Sequence, residues 1–246
     1  MPSEKIDVII LAGGLGTRLK GIVPDLPKAL SPINGRPFLD YILDFLEASN
    51  SINNVILAVG YMADQIVGTY TDRHEYNFGI LFSREETLLG TGGAINRALG
   101  YATTDSVMVL NGDSYVDADL SDVVAFHREK NASMTIIVKK IKNPGRYGLV
   151  RFDGNHTITS FNEKQPSSTE GYINTGIYLL KKEIFNNIEE NKILSLEKEL
   201  MPFFIYSGGV YAFATHGEFI DIGVPETYLA AEEFFKKHTS TPKTAQ

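Results

Sequence analysis

The segment Leu11-Ala12-Gly13-Gly14-Leu15-Gly16-Thr17-Arg18-Leu19 limits what this chain can fold into more than any other. It closes an apolar run, Val8-Ile9-Ile10-Leu11, of the kind that forms a buried parallel strand. Glycines clustered at the end of such a strand permit positive φ and leave no Cβ in the way of a bound group. Backbone N–H groups in a turn of this kind, from Leu11 through Thr17, converge on an anion. Arg18 adds a fork of donors suited to phosphate, and Lys28, after Pro27, adds a mobile point charge. The combination points to a polyphosphate site at the first strand-to-loop junction of an α/β domain. It is neither of two familiar phosphate loops. Gly16 and Gly21 have Walker spacing, but Ile22-Val23 follow in place of Lys-Ser/Thr. From Gly14, a dinucleotide fingerprint fails at Leu19.

The rest of the first half alternates short apolar runs with helical patterns. Val55–Val59, Ile80–Phe82 and Val107–Leu110 read as strands; Phe38–Glu47, Met62–Tyr70 and Ala94–Leu99 read as helices. This alternation implies a mostly parallel sheet with helices on both faces and ligands at the carboxyl ends of the strands. The second half reads as strands at Met134–Val138, Tyr172–Leu180, Val210–Ala214 and Phe219–Ile222. A hairpin joins Gly148–Phe152 to Thr157–Phe161, a short helix covers Lys182–Ile188, and a closing helix runs from Pro225 to about Lys237. Ser195-Leu196-Glu197-Lys198 has the look of a capped helix start. A single domain over residues 1–238 is the economical expectation. Its first half would reach about residue 135 and its second residue 238, with a frayed tail over 239–246.

At 246 residues with a net charge of −7, the chain is no general nucleic-acid binder, and an acidic protein that binds phosphates must concentrate its cations locally. It has no cysteine, which excludes disulfides and thiolate metal sites. Residues 1–7 are too polar for a signal peptide and no apolar stretch reaches membrane length, so a cytoplasmic protein without membrane partners is expected.

Several polar residues interrupt this apolar framework. Asn111-Gly112-Asp113 follows a predicted strand, so Asp113 is either a Mg²⁺ ligand between protein and phosphates or ordinary turn chemistry. Asp221, flanked by Ile220 and Ile222, is either a second ligand or a helix-capping acid. Glu163-Lys164 offers a hydroxyl acceptor and a phosphate-binding cation, or else a solvated charge pair. Asn174, beside Gly176, suits a sugar hydroxyl, and Gly148 offers its backbone. Gly90-Thr91-Gly92-Gly93 is either a helix cap or bare backbone for a nucleobase and ribose. Glu86 is either surface charge or an acceptor for the N1–H and N2–H of guanine. Asp117-Ala118-Asp119 resembles a glycosyltransferase metal motif, but its place before a helix favours capping.

Taken in order, Leu11–Arg18, Pro27-Lys28, Gly90-Thr91-Gly92, Asn111-Gly112-Asp113, Arg146-Tyr147-Gly148, Phe161–Lys164, Asn174-Thr175-Gly176 and Phe219–Gly223 resemble the sugar-1-phosphate nucleotidyltransferases. The resemblance implies a Rossmann-like α/β core with a small β-rich sugar-binding lobe. It implies that Arg18 and Lys28 meet a nucleoside triphosphate, Asp113 and Asp221 hold Mg²⁺, Lys164 grips the sugar phosphate, and Glu163, Asn174 and Gly148 contact the sugar. The strings around Asp221 and Ser195 look most like guanylyltransferases acting on heptose 1-phosphate, then those acting on mannose 1-phosphate. Many relatives carry a C-terminal β-helix, which this chain is expected to lack. Dimers and tetramers are common among them, so self-association is a further expectation. Uridylyl- or thymidylyltransferase activity, a glycosyltransferase using Asp117 and Asp119, and a non-catalytic regulatory subunit are the competing readings.

Overall fold

The computed structural model describes residues 5–163 and 170–239. In chain order the strands are β1 (Ile6–Leu11), β2 (Pro32–Ile33), β3 (Arg36–Pro37), β4 (Ile52–Val59), β5 (Gly79–Arg84), β6 (Ser106–Asn111) and β7 (Ser114–Val116). They continue with β8 (Met134–Ile141), β9 (Leu149–Phe152), β10 (Ile158–Asn162), β11 (Gly171–Lys181), β12 (Val210–Thr215) and β13 (Phe219–Asp221). The helices are α1 (Phe38–Ala48), α2 (Ala63–Tyr70), α3 (Gly90–Ala98), α4 (Leu120–Glu129), α5 (Met201–Ser207) and α6 (Pro225–Thr239).

Nine strands form one mixed sheet, as the alternating pattern led us to expect. β5, β4, β1 and β6 run parallel; β11 pairs antiparallel with β6 and with β8, and β12 lies parallel to β8. The β9–β10 hairpin joins β11 through Tyr172 and Ile173. Alternate residues of β1 serve opposite faces. Val8 and Ile10 pack with α1, α2, α4 and α6, whereas Ile9 packs with α3 and α5. Each of these three strand residues is fully buried.

Registry puts the strand ends level. Leu11 sits opposite Ala58 on β4 and opposite Asn111 on β6. The glycine-rich turn and the Asn111-Gly112-Asp113 turn are therefore neighbours. Gly112 donates its N–H to the Leu11 carbonyl at 2.9 Å, and a Cβ there would stand 2.7 Å from the same oxygen. The pair β7–β13 then sets Asp221 opposite Ser114.

Two expectations change in detail. The glycine run at residues 90–93 forms the first turn of α3 rather than a loop before it. The amides of Gly92 and Gly93 donate to the Leu194 carbonyl at 2.8 and 3.2 Å; a Cβ on Gly92 would stand 2.8 Å from Leu200 Cδ1, and one on Gly93 would collide with the Lys192 carbonyl. Tertiary packing therefore overrides the low helix propensity of glycine. The helix expected at Lys182–Ile188 is a shorter 3₁₀ turn, Lys182–Phe185. Ser195 and Asp119 cap as expected. Ser195 Oγ accepts from Lys198 N at 3.2 Å, and Asp119 Oδ1 accepts from Ser121 N at 2.8 Å. Residues 240–246 of the expected tail lie outside the described residues.

Candidate active site

A cleft of about 410 Å³ opens at the carboxyl ends of β1, β4 and β6. Leu11, Ala12, Gly13, Gly14 and Gly16 line it together with Lys28, Asp113, Gly90 and Thr91. Gly16 has φ of 58°, as the turn requires, and leads into a 3₁₀ turn, Thr17–Leu19, that leaves Thr17 and Arg18 exposed beyond it. Glu86 is exposed and absent from the cleft wall; the acid that lines it is its neighbour Glu85. Glu85 Oε2 accepts the Leu89 N–H at 2.8 Å, while Oε1 faces Gly13, 2.8 Å from where a Cβ would stand. Burial pushes the Glu85 carboxyl above the usual range.

The acids and cations meet at one corner. Lys28 Nζ pairs with Asp113 Oδ2, and the Ser114 hydroxyl donates to Asp113 Oδ1 at 3.0 Å. Burial would raise the Asp113 carboxyl, but Lys28, Ser114 and Arg18 outweigh it and hold the group below its usual value. The Ile222 amide donates to the Asp113 carbonyl at 2.9 Å, which brings Asp221 alongside. Arg146 Nη2 meets both Asp221 oxygens, at 2.9 and 2.7 Å, and the Tyr147 hydroxyl donates to Oδ2 at 2.5 Å. Burial and Asp221 raise the Tyr147 phenol, which stays a neutral donor. Lys28 and Asp113 thus line the cleft, Arg18 acts on the Asp113 charge from the exposed turn, and Asp221 stands behind Asp113, buried and outside the cleft wall. Nothing in the sequence pattern pointed to Arg146 and Tyr147 as partners of Asp221, 75 and 74 residues away.

The residues expected around a sugar also gather. The Asn174 amide donates to the Gly148 carbonyl at 2.8 Å, and Glu163 Oε2 lies 3.3 Å from where a Gly148 Cβ would stand. Asn174 Oδ1 accepts the Gly176 N–H at 3.0 Å and Nδ2 donates to the Tyr178 hydroxyl at 2.6 Å, so part of its amide is engaged within the protein. Tyr178 continues to Glu197 Oε1 at 3.3 Å, and Glu197 Oε2 accepts from the Thr91 hydroxyl at 2.7 Å. Lys164 lies outside the described residues.

As donors, Asp113 and Asp221 suit a hard divalent cation, which takes carboxylate oxygens and completes its shell with water and phosphate. Among the described residues no group of three or more His, Cys, Asp or Glu side chains that could hold a metal ion gathers. Also among the described residues, no helix is long and apolar enough to cross a membrane.

A glycine-rich loop at the end of β1, with Lys28 and two aspartates beside it, has the chemistry of an enzyme that handles nucleotides. The chain belongs to the nucleotidyl transferase family, whose model matches residues 7–238. Nucleotidyltransferases generally use a divalent metal. The chain is 39% identical over 223 residues to a D-glycero-α-D-manno-heptose 1-phosphate guanylyltransferase of Campylobacter jejuni, covering 91% of this chain and 97% of that one. It is 36% identical over 228 residues to the enzyme of the same name from Aneurinibacillus thermoaerophilus, covering 93% and 97%. The crystal structure of HddC from Yersinia pseudotuberculosis superposes with a TM-score of 0.84 at 36% identity, over 94% of this chain and 99% of that one; HddC has also been solved complexed with GMP-PN.

Proposed function

We propose that this protein condenses GTP with D-glycero-α-D-manno-heptose 1-phosphate, forming a nucleotide-activated heptose and pyrophosphate. Two guanylyltransferases of that name, similar over nearly their whole length, support the choice of substrates. The observation that carries the reaction class is the meeting of the glycine loop, Lys28 and Asp113 in one cleft, with Asp221 held next to Asp113 through the Ile222 amide and the pairing of β7 with β13. In this reading residues 1–135 hold the nucleotide and 136–238 the sugar phosphate. Leu11 to Thr17, Gly90 and Thr91 form the nucleotide wall, Glu85 takes the place of Glu86 as reader of the guanine edge, and Gly148, Glu163 and Asn174 face the sugar.

A phosphate oxygen of the sugar 1-phosphate attacks the α-phosphorus in line, the bond to the β-phosphate oxygen breaks, and pyrophosphate leaves. The nucleophile is already an anion near neutral pH, so no general base is needed. The obstacle is repulsion. Two unit charges ~4 Å apart repel by about 4 kcal/mol at an effective dielectric of 20. Arg18 and Lys28 offset that on the triphosphate, and Lys164, assigned by resemblance, does so on the sugar phosphate. Alignment and charge neutralisation supply most of the catalysis in transfers of this kind. A divalent cation, Mg²⁺ in this proposal, would be held by Asp113 and Asp221 and neutralises charge at the phosphates when bound.

The test is a matrix of GTP, ATP, UTP and dTTP against heptose, mannose and glucose 1-phosphates, read by pyrophosphate release. GTP with the heptose phosphate is expected to be the fastest pair. Equal or faster turnover with mannose 1-phosphate moves the assignment to the mannose enzymes. Sugar transfer to an acceptor without pyrophosphate release ends the proposal.

A further inference from the structure

Asp221 is the acid whose lone pairs the fold has already filled. Oδ1 accepts from Arg146 at 2.9 Å and from the Gly223 amide at 2.8 Å; Oδ2 accepts from Arg146 at 2.7 Å and from Tyr147 at 2.5 Å. An ionised carboxylate offers about four acceptor positions. Asp113 is bound by Lys28 and the Ser114 hydroxyl and retains open positions. With β7 and β13 paired, the two acids and their two basic partners form one nearly neutral group. A divalent cation entering here finds its place at Asp221 taken by a guanidinium. Lys28 has a side chain only 15% exposed, whereas that of Arg146 is 40% exposed and stands above an Asp221 side chain that is 10% exposed. Arg146 is therefore the partner that can swing out to solvent or ligand.

We propose that Arg146 is a resident counter-ion that closes Asp221 to a divalent cation until nucleotide phosphates arrive and draw the guanidinium away. The inference deepens, and rests on, the reading of Asp113 and Asp221 as the metal-holding pair. A guanidinium forks onto phosphate as well as onto carboxylate, and a triphosphate carries more charge than one aspartate. After the exchange every charge still faces an opposite one. Tyr147 stays behind as a donor to Oδ2, its ring 5.5 Å from that of Phe219 and edge-on to it, so the carboxylate keeps its orientation when Arg146 leaves. Metal and nucleotide then favour each other's binding, and by linkage the effect is mutual. Arg146 is a positioning residue in this scheme.

The test uses Mn²⁺ as probe on the full chain, counting free ion by electron paramagnetic resonance. Without nucleotide, Arg146→Gln is expected to bind Mn²⁺ about tenfold more tightly than wild type. Arg146→Lys, which keeps the charge, is expected to stay within about twofold of wild type. With GTP present and sugar phosphate omitted, water-proton relaxation is expected to show similar Mn²⁺ affinity in all three. Equal affinity of wild type and Arg146→Gln without nucleotide overturns the proposal, as does Arg146→Lys behaving like Arg146→Gln. Failure of every protein to bind Mn²⁺ even with GTP overturns the metal assignment of Asp113 and Asp221 instead, and the counter-ion role with it.

Discussion

Glu85 lines the cleft, with one carboxylate oxygen facing Gly13 and the other tied to the Leu89 amide. Guanine carries two donors, N1–H and N2–H, on the edge such an oxygen would meet, while hypoxanthine lacks the second. Glu85→Gln keeps the size but replaces an acceptor with a donor. It is expected to lower kcat/KM for GTP by about 10- to 100-fold, and to shrink the preference for GTP over ITP toward unity, since a hydrogen bond to a charged group contributes about 1.5–3 kcal/mol. An unchanged GTP to ITP ratio removes Glu85 from base recognition. That the sequence pointed one residue away, to Glu86, reflects a limit of pattern reading. Both acids follow β5, and only the loop's path after Arg84 decides which of them turns inward. His127 makes a separate prediction, about stability. It is 3% exposed, its Nδ1 lies 2.9 Å from the Thr135 hydroxyl, and burial, with Lys181 and Arg128, pushes it down to about 4. The unfolded chain takes up a proton near pH 6.5 that the folded one refuses until about 4, so this stabilisation is complete above 6.5 and lost as pH falls through that window. Urea denaturation at pH 7 and pH 4.5 is expected to show wild type losing roughly 2–3 kcal/mol more than His127→Gln. Parallel losses in the two proteins would dismiss the histidine as the cause.

α3 shows how an element can use residues that oppose it. Glycine costs a helix about 1 kcal/mol relative to alanine. Gly93→Ala should therefore help α3 in isolation, yet its Cβ would drive into the Lys192 carbonyl and stand 2.8 Å from Leu89 Cβ. Gly68 in α2 is exposed, with nothing within 4 Å of its Cβ position. Gly93→Ala is expected to lower stability by about 2–3 kcal/mol, and Gly68→Ala to raise it by about 0.5–1 kcal/mol. Thermal unfolding of the two variants beside wild type checks both, and similar shifts of one sign would contradict the packing account. The same comparison explains what was legible beforehand. β1, β4 and β6 announce themselves as apolar runs because strands buried on both faces need them. The Gly13 and Gly112 turns were legible because backbone must approach backbone or ligand there. The role of Gly92 and Gly93 was not, since it depends on a segment about 100 residues later docking onto α3. The Arg146 and Tyr147 contacts with Asp221 were hidden for the same reason. They follow from β11 carrying the β9–β10 hairpin at one end while β13 pairs with β7, and neither arrangement leaves a local mark.

At the scale of the molecule, the cleft and the proposed sugar lobe are connected through β11 and a half-buried chain of hydrogen bonds centred on the buried Tyr178. Residues Ile177–Lys181 of β11 pair with β6, while Tyr172 and Ile173 pair with β9, and the register against β8 shifts between Asn174 and Tyr178. Gly176, with φ of 81°, makes that shift possible, because any Cβ there would run into the Asn111 side chain. The bulge leaves Asn174 beside Gly148 and aims its amide at Tyr178, whose hydroxyl leads through Glu197 to Thr91 in the cleft. Tyr178 is fully buried, and burial together with Glu197 holds its phenol well above the ordinary value, so it stays neutral at any working pH. Tyr178→Phe fills the same space but deprives Asn174 Nδ2 and Glu197 Oε1 of their shared hydroxyl. Stability is expected to fall by about 1–3 kcal/mol. If the chain only braces the fold, the loss ends there. If it sets the sugar residues against the bound nucleotide, KM for the sugar phosphate rises about 5- to 20-fold while the Kd for GTP alone is unchanged, because the glycine loop is anchored independently through the Gly112–Leu11 contact and Thr91 keeps its bond to Glu197. Steady-state kinetics beside equilibrium GTP binding distinguish the two outcomes. A rise in the GTP Kd equal to the rise in KM would mean that Tyr178 supports the cleft as a whole and not the alignment of one substrate with the other.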